Sequence, residues 1–346
     1  MKIVSIVGAR PQFIKLAPFS KEIRKYFKEI IIHTGQHYDK NMSKLLFEDL
    51  EIPKPDYNLN IGSGTHAEQT AKMIISIEEI LLKEKPNLVV IFGDTNSTLA
   101  GTLVASKLHI KTLHIESGLR SFNKEMPEEI NRIISDHTSD FLFAPTKNAM
   151  KNLKKEGLIN KSYLLGDIMV DSLQNNIKIA INKSKINYKD FYLVTLHRPY
   201  NVDNPDTLKN IIYNLSLLNK QIIFPLHPRT KNVIIKNNIY IPNNIKILKP
   251  QSYLNFIKLE YLTDKIITDS GGIQKEAYLL SKPCITLRSE TEWIETINSG
   301  WNILLDSNNK DFINIINNFN PSNKKERIFG NNVTTKMVKK IIKLLK

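Results

Sequence analysis

The chain has 346 residues, 41% of them hydrophobic and 24% charged, with 49 Lys and Arg against 34 Asp and Glu for a net charge of +15. That length exceeds one ordinary core and suits two α/β domains of roughly 150 to 200 residues each. The single Cys284 excludes an internal disulfide framework and sits in KPCITLR as a buried, inert thiol.

No apolar run approaches the ~20 residues of a membrane span. The start MKIVSIVGARPQF lacks the charged, apolar, small-residue order of a secretory signal, which predicts a cytoplasmic protein with no membrane partner. The lysines are scattered and thickest in the Asn-rich second half, without a nucleic-acid-binding signature, so nucleic acid is not expected as a partner. An anionic small substrate accounts for the basic excess as well.

In chain order, Lys2 to Val7 is an apolar strand that breaks at Gly8-Ala9-Arg10-Pro11 before a helix from about Phe13 to Tyr26. This turn is either a plain strand-to-helix connection or an anion cradle, with Arg10 and Lys15 adding charge. Glu29 to His33 is a second strand running into the polar loop Thr34-Gly35-Gln36-His37-Tyr38-Asp39, and a long helix follows at about His66 to Lys83.

Leu88 to Phe92 is a continuous apolar run of the kind a buried parallel strand shows, stopping at Gly93-Asp94 before a helix from about Ser97 to Lys107. Thr95, Asn96 or Ser97 caps that helix. Thr112 to Ile115 repeats the pattern and runs into Glu116-Ser117-Gly118, so Asp94 and Glu116 both stand at carboxyl ends of strands, where open α/β sheets bind ligands. A helix through Arg132 to about His137, strand Phe141 to Ala144, helix Lys147 to Glu156 and strand Ser162 to Leu165 complete a first doubly wound sheet.

From Asp167 to about Lys189 a helix and a polar linker cross to the second half, where strands end at chemistry-bearing residues again. Tyr192 to Thr195 ends at His197-Arg198, Gln221 to Pro225 at His227-Pro228-Arg229, Ile245 to Leu248 at Pro250-Gln251, Lys265 to Thr268 at Asp269-Ser270-Gly271-Gly272, and Cys284 to Leu287 at Arg288. A second Rossmann-like sheet is the simplest account. Ser270-Gly271-Gly272 opens a helix from about Ile273 to Leu280 and is either a tight turn or a phosphate site, with Glu276 one turn further in and able to accept from ribose hydroxyls. His197 and His227 are either packed neutral histidines or acid–base groups. No His, Cys and carboxylate spacing suggests a metal, and no cofactor is implied.

The combination GARPQFIK at Gly8, TGQH at Thr34, GDTNSTLAG at Gly93, HIESGLRSF at His114, MPEEINR at Met126, LHRPYN at Leu196, DSGGIQKEA at Asp269 and RSETEW at Arg288 resembles the non-hydrolysing UDP-N-acetylglucosamine 2-epimerases, in order over nearly the whole chain. The resemblance implies a GT-B-like α/β fold of two Rossmann-like domains facing across a cleft. The first spans residues 1–166 and carries the catalytic carboxylates, the second spans 167–325 and binds the nucleotide. Residues 326–346 form a C-terminal helix packing back toward the first domain.

The same resemblance implies removal of the C2 proton, departure of UDP to leave a 2-acetamidoglucal, and return of UDP after reprotonation on the other face. Asp94, Glu116, Glu128 and His197 match the family's catalytic positions, and Arg10, Lys15, Gln251, Ser270, Gly271, Gly272, Glu276 and Arg288 match its nucleotide-binding positions. A homodimer and a role in supplying surface polysaccharide are implied with them. The spellings GARPQ, NMS, SFN and TEWIE look more like the subgroup acting on UDP-2,3-diacetamido-2,3-dideoxyglucuronate. For such a substrate a basic residue should meet the sugar carboxylate, Arg120 and Arg229 being candidates, with surface roles as the alternative.

The loop Gln36 to Met42 differs from that of members activated by a second UDP-GlcNAc molecule. Readings from other classes are a hydrolysing 2-epimerase, a GT-B glycosyltransferase, which would need an acceptor pocket, and a non-catalytic UDP-sugar sensor, which would leave C2 untouched.

Overall fold

The computed structural model describes residues 1–36, 46–321 and 324–346. The chain divides into two compact units, Met1–Ser172 together with Arg327–Lys346, and Leu173–Glu326. In the first, the strands are β1 (Lys2–Val7), β2 (Lys28–His33), β3 (Tyr57–Asn58), β4 (Leu88–Phe92), β5 (Thr112–Ile115), β6 (Phe141–Ala144) and β7 (Ser162–Leu164). They form one sheet in the order β3-β2-β1-β4-β5-β6-β7, and every pairing is parallel.

The second unit holds β8 (Phe191–Thr195), β9 (Gln221–Pro225), β10 (Ile245–Leu248), β11 (Lys265–Thr268), β12 (Cys284–Thr286) and β13 (Asn302–Leu304). They pair in parallel in the order β10-β9-β8-β11-β12-β13. Both sheets are thus wound outward from a central pair, β1 and β4 in one and β8 and β11 in the other, which is the α/β class expected from the strand–helix alternation.

The strands form where the sequence offers Ile and Val on both faces. All of Leu88–Phe92 is buried, and Ile6, Ile32, Val89 and Ile91 pack against Met73 and Ile77 of the His66–Glu84 helix and against Ala100 and Val104 of the Asn96–Lys107 helix. The His66–Glu84 helix starts with a capping box, Thr65 accepting from Glu68 N–H while the Glu68 carboxylate takes the Thr65 N–H. In the second sheet Val194, Ile222, Phe224 and Ile267 fill one face and Leu193, Ile223 and Ile266 the other. Cys284 lies in that second layer, fully buried, and burial pushes its thiol up to about 12, so it is inert.

Gly8 ends β1 where no side chain fits, since a Cβ there would collide with the hydroxyls of Thr34 and Ser97. The expectation attached to the loop Gln36 to Met42 falls, from His37 onward, outside the described residues. Among those described, no helix is long and apolar enough to cross a membrane.

The Val333–Leu344 helix belongs to the first unit, where it packs against the Arg10–Ile23 helix. Its own N-cap residue, Asn332, sits at φ 46° and makes no side-chain cap; Asp171 supplies one instead, its Oδ2 accepting from Thr334 N–H at 2.6 Å. Asp171→Ala should therefore cost about 1 kcal/mol, read as a lower urea midpoint at unchanged slope. Asp171→Asn, which keeps an acceptor oxygen, should retain most of that stability.

Candidate functional site

The site of the first unit is built at the carboxyl ends of β1, β4 and β5. Arg10 opens the Arg10–Ile23 helix, and Gln12, in its first turn, is buried across the junction of β1 and β4. Its Oε1 accepts from Gly8 N–H at 2.7 Å and Ala9 N–H at 3.0 Å, while its Nε2 donates to the Phe92 carbonyl at 2.8 Å and to Thr98 Oγ1 at 3.1 Å. The two backbone N–H groups a phosphate would use in this turn are therefore already satisfied from within. Lys15, one turn further along, is buried and ion-paired with Glu116, so it meets the carboxylate wall directly. Glu116 itself has φ +75°, a left-handed backbone seldom taken by residues other than Gly, Asn and Asp; strain of that kind gathers at functional sites.

Asp94 follows β4 and precedes the Thr95 cap, whose hydroxyl accepts from Thr98 N–H. Its partly exposed carboxylate receives Arg132 Nη2 at 2.5 Å. Arg132 lies on the Pro127–Thr138 helix, which is inverted: Glu129, Asn131, Arg132, Ser135 and Asp136 are buried, while Ile130 is exposed. A helix turns its polar face inward only where those groups find partners. Here Arg132 Nη1 donates to Glu129 at 2.9 Å, Glu129 accepts the N–H groups of Ser121 and Phe122 at 2.9 and 3.0 Å, and Asn131 donates to the Asp94 carbonyl at 2.9 Å. Burial works against charge on Arg132, but Asp94 and Glu129 outweigh it and keep the guanidinium ionised. Glu128 stands beside this network with its side chain exposed, at the helix N-terminal turn.

The candidates for a sugar carboxylate take other partners. Arg120 is buried, bonded to Glu156 through Nε and Nη2 at 2.7 Å each and to Asp136 through Nη1 at 2.7 Å, which makes it structural rather than a substrate contact. Arg229 forms an exposed pair with Asp203 at 2.5 Å.

In the second unit, Asp269 at the end of β11 is the anchor. Its carboxylate accepts from the N–H groups of His197 and Arg198 at about 3.0 Å, from Asn201 Nδ2 at 3.1 Å, and faces His197 Nδ1 at 3.0 Å. Burial would raise this carboxyl; His197 and the backbone and amide donors outweigh it and hold it below the ordinary aspartate range. The His197 ring is partly exposed and lies 5.5 Å from that of His227, whose pKa is lowered by partial burial and by His197. His227 is exposed and its Nδ1 accepts from Arg229 N–H at 3.2 Å, so neither histidine is a packed core residue.

Ser270 precedes the Gly271–Leu279 helix. A Cβ on Gly271 would run into the Glu292 carboxylate, whereas one on Gly272 would meet open space, leaving the backbone there approachable. Glu276 is buried in the same helix, Arg288 pairs with Glu292 at 3.0 Å, and Gln251 donates to the Lys249 carbonyl at 2.7 Å. Arg198, not singled out from sequence, has its Nε buried with no hydrogen-bond partner among the described residues. Among the described residues, no cluster of His, Cys, Asp and Glu could hold a metal ion.

Two doubly wound parallel sheets, one ending on ion-paired carboxylates and the other on a histidine–aspartate pair beside a glycine turn, place the chain among α/β enzymes of nucleotide-linked substrates. A family model described as UDP-N-acetylglucosamine 2-epimerase matches residues 21–345, and the chain belongs to that family. It is 55% identical over 333 residues to a UDP-N-acetylglucosamine 2-epimerase homolog of Methanococcus maripaludis, with 93% of each chain covered. To the UDP-2,3-diacetamido-2,3-dideoxy-D-glucuronate 2-epimerase of Pseudomonas aeruginosa it is 48% identical over 314 residues, with 88% of each covered. The crystal structure of Methanocaldococcus jannaschii UDP-GlcNAc 2-epimerase in complex with UDP-GlcNAc and UDP superposes with a TM-score of 0.89 at 46% identity, covering 99% of this chain and all of that one.

The polar face of the Pro127–Thr138 helix makes a testable statement about acid stability. Burial alone would raise the Glu129 carboxyl, but the Ser121 and Phe122 N–H groups and Arg132 hold it below its ordinary 4.5. A folded value below the unfolded one means that the stabilisation is complete above pH 4.5 and is lost as pH falls through the folded value. Glu129→Gln should cost about 2 to 3 kcal/mol at pH 7, and urea unfolding should show the gap to the parent protein closing below pH 4.5. A gap that stays constant with pH would contradict the assignment.

Proposed function

We propose that this chain inverts C2 of a UDP-N-acetylamino sugar without hydrolysing it, by eliminating and re-adding UDP. The observation that carries this reading is the pair of carboxylates at adjacent strand ends, Asp94 and Glu116, each bound to a buried cation, Arg132 and Lys15. The C2 proton is weakly acidic, so its removal needs positioned bases and stabilisation of the departing diphosphate. Asp94, Glu116 and the exposed Glu128 form the acid–base set: the C2–H bond breaks to a carboxylate as the C1–O bond breaks to UDP. Reprotonation of the glucal from the opposite face and return of UDP to C1 restore the sugar nucleotide.

The second unit's residues serve the nucleotide in this reading. His197 turns Nδ1 to Asp269, which leaves Nε2 for the diphosphate. The helix N-terminus at Ser270, Gly271 and Gly272, Glu276 on the ribose, and Gln251 and Arg288 complete the grip. The family match further supports a cytoplasmic homodimer supplying surface polysaccharide, and the exposed Phe122 and Ile130 are suited to a subunit contact.

A second substrate, the UDP-2,3-diacetamido-uronate, is supported by the 48% identical Pseudomonas aeruginosa relative. Incubating the purified protein separately with UDP-GlcNAc and with the diacetamido-uronate, and following both by 1H NMR, should show the manno epimer of one of them at equilibrium with its UDP still attached. Release of free N-acetylmannosamine with UDP would make the enzyme hydrolysing, and UDP binding with neither sugar converted would favour a sensor or transferase.

A further inference from the structure

Behind the two carboxylate-bearing strand ends lies a group that none of the roles above uses. His114, on β5, is fully buried, with Nε2 2.7 Å from the Gly93 carbonyl oxygen and Nδ1 2.7 Å from Asp136 Oδ1. A carbonyl oxygen only accepts, so Nε2 carries a proton; an ionised carboxylate also only accepts, so Nδ1 carries another. The competing arrangement puts that second proton on Asp136 instead. The surroundings of Asp136 oppose it, because Oδ2 takes Gly118 N–H at 2.9 Å and the Arg120 guanidinium at 2.7 Å. Burial would raise this carboxyl, yet His114, Arg120 and the Gly118 N–H outweigh it and hold it below the ordinary aspartate range.

We propose that His114 is a doubly protonated imidazolium in the folded protein and that the buried chain His114–Asp136–Arg120 is the positioning element for the acid–base carboxylates. The inference rests on the epimerase reading for what is positioned, while the charge state stands on geometry alone. The imidazolium fixes the Gly93 carbonyl, one peptide before Asp94, and Asp136 fixes the Gly118 N–H, two residues after the strained Glu116. One ion chain thus sets both strand ends. The charged groups around it are Asp136 against the ring, Arg120 against Asp136, and Glu156 against Arg120, with His137 at 3.1 Å from Glu156 at the outer end, and Lys161, bonded to the His137 and Ser139 carbonyls, within electrostatic reach of Asp136. A neutral ring would leave either the Gly93 carbonyl or an Asp136 oxygen buried without its donor.

The test is long-range 1H–15N correlation at pH 7 on the full protein labelled with 15N-histidine, with His114 assigned by the loss of its signals in His114→Gln. Should that variant not fold, slow solvent exchange of the buried ring N–H groups makes the assignment. The expected result is an imidazolium pattern at both nitrogens; a bare Nδ1 or Nε2 overturns the proposal. In Asp136→Asn, His114 should become neutral, and kcat per folded molecule should fall about 10- to 100-fold while KM changes little. A merely structural role would lower the folded fraction and leave kcat per folded molecule at the parent value, which overturns the positioning role. Failure of the epimerase reading would show differently, as no turnover in the parent protein with the imidazolium signals intact.

Discussion

Three consecutive carbonyl groups at the end of β4 are held by side chains from three separate elements, and the first unit's chemistry depends on that grip. Gln12 donates to Phe92, His114 to Gly93 and Asn131 to Asp94, at 2.8, 2.7 and 2.9 Å. A strand that leaves its sheet gives up the regular ladder and must find other partners for its backbone. Side-chain donors supply them here, so Asp94 emerges from a backbone fixed on every side and its carboxylate is then set by Arg132. Preorganisation of this kind is what a weakly acidic carbon requires, since the groups meeting developing charge are already in place before the reaction starts.

The second unit solves the same problem with one carboxylate. Asp269 gathers the N–H groups of His197 and Arg198 and the Asn201 amide, joining the end of β8 to the end of β11. In both units the central strand pair is stitched by buried polar groups at its carboxyl end. Asp136 and Asp269 also share an electrostatic logic: each is costly to bury, and each is kept ionised by a histidine and backbone donors. Acidification therefore weakens both strand junctions together.

Much of this architecture was legible in the chain. Strands such as Leu88–Phe92, Thr112–Ile115 and Phe141–Ala144 fall where the sequence placed them, because a strand buried between two helix layers reads as a largely apolar run between turn residues. The short strands Tyr57–Asn58 and Asn302–Leu304 were not visible, being two or three residues long and at sheet edges. Asp94 and Glu116 could be placed at strand ends because strand ends can be located from sequence; what pairs with them could not be, since Arg132 is 38 positions from Asp94 and Lys15 is 101 from Glu116. One signal was there to read. Glu129, Arg132 and Asp136 are spaced i, i+3, i+7, one helical face, and three charged residues on a face opposite Ile130 mark a polar side turned inward. The same reasoning separates buried Glu129 from its exposed neighbour Glu128.

The central claim is that carboxylates fixed at these strand ends move the C2 proton. The most direct measurement is the reaction run in deuterated water, following deuterium at C2 in the parent protein and in Asp94→Asn, with UDP binding to both measured alongside. The account requires one solvent deuterium at C2 of each product molecule formed by the parent protein, and loss of that exchange in Asp94→Asn while UDP still binds. Epimer formed without solvent deuterium, or exchange in Asp94→Asn at the parent rate, would contradict it.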